Sequence, residues 1–377
     1  MLNRFILFLA LALTLSACSL SSGPLTRLPG AASLNAATDS PGDLPVAHAP
    51  ELAGLVLTYG DGTGLAQFDA TGRLTQLSIR PGAALSPDGE QVLFPEGFEL
   101  WLEPVGGSAE PRNLTKSSER LETACQWWVA RPGWIVLTYL PAENPGAATS
   151  LMGLLQVETG EIIPLNAEIQ PATAPALSPD GRTIAYNLNA MPYLLDVESG
   201  VGQPVPLEAF ASRLGRTFLM VVFPTWSPDG VSLAWKLYDQ TGWIGTATYS
   251  PLTGEWSLLN EYFATMSQEP LAQLAFSPDG RWLALVNQND PAFPGRAPAL
   301  WVLPLSGAGL DSRRAPLLLG VGVRPAWSPD STRLVFTQPP PQGGGVEDDQ
   351  LVLVQAGTWE ALSLGDLPGG YYAVGWR

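Results

Sequence analysis

The residues able to do chemistry in this chain are few in kind. There is one histidine, His48, and two cysteines, Cys18 and Cys125, in 377 residues. A nucleophilic triad needs an imidazole beside its serine or cysteine, and most catalytic zinc sites use imidazole ligands. His48 lies in a stretch rich in Pro, Ala and Gly, so both chemistries are excluded from any folded body downstream. No glycine-rich phosphate loop follows a strand and opens a helix. Carboxylates are plentiful, with 35 Asp and Glu, and two of them about 5–10 Å apart could cleave a glycosidic bond. Asp61, within Gly60-Asp61-Gly62-Thr63-Gly64, looks like a fragment of a calcium loop but lacks the run of oxygen ligands. A hairpin turn is the expectation there, and no metal or cofactor is expected.

Cys18 has a separate chemistry. Arg4 provides a small positive region, Phe5 to Leu15 is apolar, and Leu15-Ser16-Ala17-Cys18 follows. Eleven apolar residues are too few to span a bilayer as an ordinary helix and read as a secretory signal peptide. The four residues ending in Cys18 resemble a bacterial lipobox, which implies acylation of that thiol. Each buried methylene contributes about 0.8 kcal/mol, and stable anchoring takes more than one chain. The expected divisions are a signal peptide over 1–17, a lipidated cysteine and flexible tether over 18–50, and a folded domain over 51–377. The tether would span about 30 Å as a coil. Cys125, left alone, is expected to be a buried small apolar residue.

The carboxylates that recur most sit in a repeated tetrapeptide. Ser-Pro-Asp-Gly begins at Ser86, Ser178, Ser227 and Ser277, and Ser328-Pro329-Asp330-Ser331 is a fifth copy altered at one residue. Ser, Pro, Asp and Gly in this order suit a type I turn. An apolar residue precedes each copy (Leu85, Leu177, Trp226, Phe276, Trp327) and a β-prone run follows, so each copy predicts a hairpin. Asp88, Asp180, Asp229, Asp279 and Asp330 are therefore expected to be turn formers. Asp180, Asp229, Asp279 and Asp330 are 49, 50 and 51 residues apart, while Asp88 to Asp180 is 92. That gap predicts a degraded copy near Trp127–Leu137, where Pro132-Gly133 keeps the turn.

Two further β-prone runs follow in each unit, as in Leu100–Pro104 with Arg112–Thr115. Four strands in about 45–50 residues is the measure of a propeller blade. Residues 52–79 contain strands without a leading turn motif, and Tyr371–Trp376 contains a first strand with nothing behind it. Trp376 lies 49 residues beyond Trp327. The two ends are expected to share one blade, giving an all-β, seven-bladed propeller of four-stranded antiparallel blades, with six blades as the alternative.

The Trp-Ser-Pro-Asp-Gly strand–turn–strand pattern resembles the repeats of TolB-like and WD-repeat-like propellers, and of propeller domains attached to prolyl oligopeptidase-type peptidases. The resemblance covers roughly residues 52–377 and implies fold rather than function. Neither the α/β domain that accompanies TolB nor a hydrolase domain is expected here.

A net charge of −16 with two lysines, Lys116 and Lys236, excludes nucleic acid as a partner, since phosphates need clustered cations. It also argues against electrostatic docking on anionic lipid. In a propeller the loops between second and third strands and the connections between blades share one face. Glu119, Arg120, Glu122, Asn144, Asn289, Asp290, Arg296, Asp348 and Asp349 fall on such segments and are the candidate ligand-binding residues. The resulting expectation is a monomeric, extracytoplasmic propeller in the cell envelope, tethered through the acyl chains of Cys18. It would bind a protein or envelope polymer as a scaffold or sensor, without catalysis. The alternative is a carboxylate-based glycan hydrolase or lyase with its site at the central channel.

Overall fold

The structure is a computed structural model. It describes residues 49–59, 62–97, 99–115, 119–127, 131–141, 149–169, 175–189, 191–240, 242–260, 274–287, 297–306, 309–311, 313–340, 348–362, 364 and 369–377. His48, Cys18 and the rest of the expected leader and tether before Ala49 lie outside these residues, as does Asp61.

Strands β1 (Leu55–Tyr59), β2 (Thr63–Phe68) and β3 (Leu74–Pro81) are the outer three of blade 1. Blade 2 runs β4 (Ala84–Leu85), β5 (Gln91–Glu96), β6 (Glu99–Pro104) and β7 (Arg112–Asn113). Blade 3 runs β8 (Glu119–Trp127), β9 (Trp134–Pro141), β10 (Ser150–Gln156) and β11 (Ile162–Ile169), so the degraded copy does build a blade. Blade 4 is β12 (Ala176–Leu177), β13 (Thr183–Leu188), β14 (Met191–Asp196) and β15 (Val201–Pro204). Blade 5 is β16 (Met220–Trp226), β17 (Leu233–Asp239), β18 (Gly242–Ser250) and β19 (Glu255–Asn260). In blade 6, β20 (Leu274–Phe276), β21 (Trp282–Asn287) and β22 (Ala299–Ser306) are followed by an outer strand in two pieces, β23 (Gly309–Leu310) and β24 (Leu317–Val321). Blade 7 is β25 (Val323–Trp327), β26 (Arg333–Gln338), β27 (Gln350–Gln355) and β28 (Ala361–Leu362). Finally β29 (Tyr371–Trp376) pairs antiparallel with β1, from Leu55 opposite Trp376 to Tyr59 opposite Tyr371. Seven four-stranded antiparallel blades thus form a closed ring, and blade 1 is shared between the two ends.

Each buried apolar cluster lies between two blades. Leu93 and Leu102 of blade 2 meet Ile135 and Leu137 of blade 3. Val335 and Leu353 of blade 7 meet Leu55, Leu57 and Ala373 of blade 1. Val56, Leu65 and Leu77 of blade 1 then meet Leu85 and Val92 of blade 2, which completes the circuit. A blade buried on both faces by its neighbours explains why second strands such as β21 are apolar almost throughout rather than alternating.

Indole groups tie neighbouring first strands together. Trp226 Nε1 donates to the Ala176 carbonyl at 2.9 Å, and Trp327 Nε1 to Ala275 at 2.9 Å. Trp376 Nε1 instead donates to the Ala53 carbonyl at 2.8 Å, just before β1 in its own blade. The large side chain fills the interface while its N–H is satisfied across it.

Three features depart from the expectations. Ala49, inside the expected tether, is buried and its amide donates to the Gly72 carbonyl at 2.8 Å. A Cβ on Gly72 would sit 2.3 Å from the Pro50 nitrogen, and its φ is +82°, so glycine is required there. Glu119, Arg120 and Leu121 are not an inter-blade loop but part of β8, opposite Pro141, Leu140 and Tyr139. Ladder bonds to β9 override the polar sequence. A short helix, α1 (Glu208–Arg213), stands between blades 4 and 5. Phe210 of α1 stacks on Trp256 at 5.2 Å between ring centres, and Arg213 donates to the Trp256 carbonyl at 2.5 Å.

Candidate functional site

The two faces of the ring are built differently. On one face lie the five motif turns, and their polar groups are used internally. Each motif serine donates its hydroxyl to Oδ1 of the aspartate two residues on, at 2.6 Å for Ser178, Ser227, Ser277 and Ser328. The same serine oxygen accepts the amide five residues on, as from Thr183 at 2.9 Å. The aspartate Oδ1 also accepts the amide two residues on, as from Val231 at 3.0 Å. The Ser86–Asp88 turn has the same bonds. One carboxylate oxygen thereby closes each hairpin.

These bonds stabilise the charged form of the aspartates. The serine hydroxyl, then a backbone amide, holds Asp88 and Asp180 below the usual carboxylate value, and holds Asp330 at about 2. For Asp279 burial pushes upward, but Ser277 and Arg281 together outweigh it, so the net direction is down. Successive turns also touch. The Asp279 amide donates to Ser331 Oγ at 2.9 Å, so the serine that replaces glycine in the fifth copy links blades 6 and 7. Ser331 does this at φ 61°, a conformation that glycine adopts at less cost. Arg377 follows Trp376 where the other copies have serine, and its guanidinium donates to the Leu85 carbonyl of blade 2 at 3.0 Å.

The opposite face carries the loops between second and third strands. Of the candidate residues there, Asn144, Asn289, Asp290 and Arg296 lie outside the described residues. Glu119, Arg120 and Glu122 belong to β8. Asp348 is exposed, while Asp349 is buried. Asp349 Oδ2 accepts a hydrogen bond from the Tyr372 hydroxyl of β29, and its carbonyl accepts the Gly370 amide at 3.0 Å. Half-buried Arg324 of β25 places its guanidinium 4.3 Å from the centre of the Tyr372 ring. Burial, then the bond and charge of Asp349, pushes the Tyr372 phenol up to about 12. Burial draws the Arg324 guanidinium down, against the opposing pull of Tyr372 and Asp349. Tyr371 packs edge-on against Tyr59 at 5.6 Å, and its carbonyl accepts from Thr337 Oγ1 at 3.2 Å.

This cluster joins blades 7 and 1 beside the axis, where the first strands of a propeller lie. Of its charged members, sequence reasoning had singled out Asp349 but not Arg324. The Tyr371-Tyr372 pair carried no signal beyond strand propensity. Among the described residues no group of three or more His, Cys, Asp or Glu could hold a metal ion. Among them, too, no helix is long and apolar enough to cross a membrane.

No protein-family model matches the sequence, and no curated protein matches it. Many solved structures share the fold. An oligogalacturonate lyase in complex with manganese aligns at 15% identity, covering 82% of this chain and 89% of that one, with a TM-score of 0.53. Puromycin hydrolase aligns at 17% identity and TM-score 0.55, covering 84% of this chain but 53% of that one. The present chain thus spans about half the length of that hydrolase. TolB from Acinetobacter baumannii aligns at 13% identity over 85% of this chain and 82% of that one, with a TM-score of 0.43. At such identities the likeness concerns architecture, and enzymes stand beside TolB among the similar structures. The chain is a seven-bladed β-propeller.

Proposed function

We propose that this chain is a membrane-tethered, extracytoplasmic propeller that binds a protein or an envelope polymer, as a scaffold or sensor, without catalysing a reaction. The observation that carries this reading is the inter-blade cluster of Arg324, Tyr372 and Asp349. It gathers a cation, a carboxylate and aromatic surface on the face where the loops emerge, and a rigid ring holds it in place. On the other face the aspartates have their Oδ1 atoms committed to turns. The sequence Leu15-Ser16-Ala17-Cys18 supports the tether, with Cys18 carrying the acyl chains.

Affinity capture from detergent-solubilised envelopes tests the binding role, with wild-type chain as bait and a blade-interface mutant as the unfolded control. A stoichiometric protein or polymer retained by wild type alone is the expected result. Release of unsaturated or reducing sugar ends from envelope glycans by the purified chain would overturn the non-catalytic reading. Metabolic labelling with a fatty acid tests the tether: wild type should take up label and Cys18→Ala should not. Label persisting in the variant would end the lipid-anchor assignment.

A further inference from the structure

Among the described residues, Asn189, Phe223, Arg324, Ser331 and Trp359 are those other than glycine whose φ lies in the left-handed region. Asparagine tolerates that region, and Ser331 uses it to link two blades. Phe223 (54°) and Arg324 (52°) sit where the ladders of β16 and β25 shift register, between Val222 and Thr225 and between Val323 and Ala326. Trp359, at 61°, instead closes the turn between β27 and β28. Its amide donates to the Gln355 carbonyl at 2.8 Å. Blades 3, 4 and 5 make the same turn with the same bond, donated there by Gly160, Gly200 and Gly254 at φ 74°, 67° and 72°. A bulky residue in this conformation is strained where glycine is not. Blade 7 therefore carries an indole where three other blades fold with glycine, and strain of this kind collects at binding sites.

The ring that Trp359 meets is a second departure from the repeat. The residue whose amide donates to the motif serine oxygen is Gln91, Thr183, Ser232 or Arg333 in four blades and Trp282 in blade 6. Trp282 and Trp359 lie edge to face, with ring centres 5.0 Å apart, and both are partly exposed. Among the described residues neither indole N–H has an acceptor, unlike that of Trp327. Arg314 adds a cation, its guanidinium 5.3 Å from the centre of the Trp282 ring. Asp311 is bonded to Arg313 at 2.8 and 3.1 Å, while Arg314 Nε stands 3.9 Å from it, beyond hydrogen-bond reach. The Arg314 side chain is 57% exposed. The open polar groups of these three side chains are thus all donors, on aromatic surface.

We propose that Trp282, Trp359 and Arg314 form a saccharide site for a carboxylated pyranoside, with Trp359 against the C–H face of the sugar and Arg314 on its carboxylate. A pyranose ring joins an apolar face and acceptor oxygens in one rigid unit, and a carboxylate matches two donors of the guanidinium fork. An acidic peptide divides those features between separate side chains, each of which must be ordered on binding. The site stands at the motif end of blades 6 and 7, opposite the face of the Arg324 cluster, so its failure leaves the binding role of that cluster untouched.

Calorimetric titration of the full chain with a hexamer of glucuronic acid, its methyl ester and hexaglutamate tests the proposal. The acid should bind, with the ester and the peptide each weaker by about tenfold or more. Trp359→Gly and Arg314→Gln should each weaken binding of the acid about tenfold or more, and Arg314→Gln should bind acid and ester alike. Melting should be unchanged in Arg314→Gln, whose side chain is exposed. Trp359→Gly restores the residue that blades 3 to 5 use and should unfold in one cooperative transition. The saccharide site is refuted by any of three results: no binding of the acid by wild type, ester or hexaglutamate bound as tightly as the acid, or undiminished binding in a folded variant. If Trp359→Gly does not fold, Arg314→Gln decides by the same criteria.

Discussion

Within each motif turn, one serine hydroxyl and one carboxylate oxygen close the hairpin. Replacing Asp180 or Asp330 by alanine should each cost about 1 kcal/mol, as for other local side-chain to backbone bonds. These residues stand in blades 4 and 7, which are not neighbours, so the double variant should be additive within about 0.5 kcal/mol in urea denaturation. Asp229 with Asp279 is a poorer pair, because a Cβ on Gly280 would lie 4.0 Å from Asp229 Oδ2 and adjacent turns are in contact. Acid titration gives a second test. The Asp330 carboxyl is held at about 2, below the usual carboxylate value, by the Ser328 hydroxyl and then the Thr332 amide. Its contribution is present above the unfolded value and is lost as pH falls through about 2. Asp330→Asn should therefore lose less stability than wild type over that range, read as melting temperature against pH. The turn role of these residues was legible because four adjacent residues contain the whole interaction. The left-handed backbone at Phe223 and Arg324 was not legible, since nothing local to Phe223-Pro224 or Arg324-Pro325 demands it.

Hairpins, as elements, follow from alternating strand and turn signals, and the degraded copy at blade 3 kept enough of both to be found. Polar Glu119–Glu122 misled because strand propensity there is weak and the β9 ladder decides. Helix α1 escaped notice for a related reason. Six residues make too short a period to read, and its support comes from Trp256, 43 residues beyond Arg213. That support can be measured. Phe210 is buried against Trp256, so Phe210→Ala should destabilise by about 3 kcal/mol or more. The loss should appear as a lower urea midpoint with the transition still cooperative. An unchanged midpoint would show that α1 is a surface insertion without a part in the core.

For the whole molecule, closure is the governing event. Without β29 the cluster between blades 7 and 1 loses Ala373 and Trp376, and the edge of β1 is left unpaired. Deleting residues 371–377 should abolish the single cooperative transition and raise amide exchange in both blade 1 and blade 7. Protection retained in β1 would refute closure by this strand. The sequence by itself determined the repeat, the turn chemistry and the shared blade. Those features rest on short-range interactions repeated at a fixed period, and the 49-residue step from Trp327 to Trp376 extends the same rule to the end of the chain. Only the tertiary structure decided that Arg324, Asp349 and Tyr372 meet. They come from two strands and the residue before β27, in two blades, and their approach depends on a strained first strand and on closure of the ring. Both depend on how neighbouring blades pack, which no local stretch of sequence specifies.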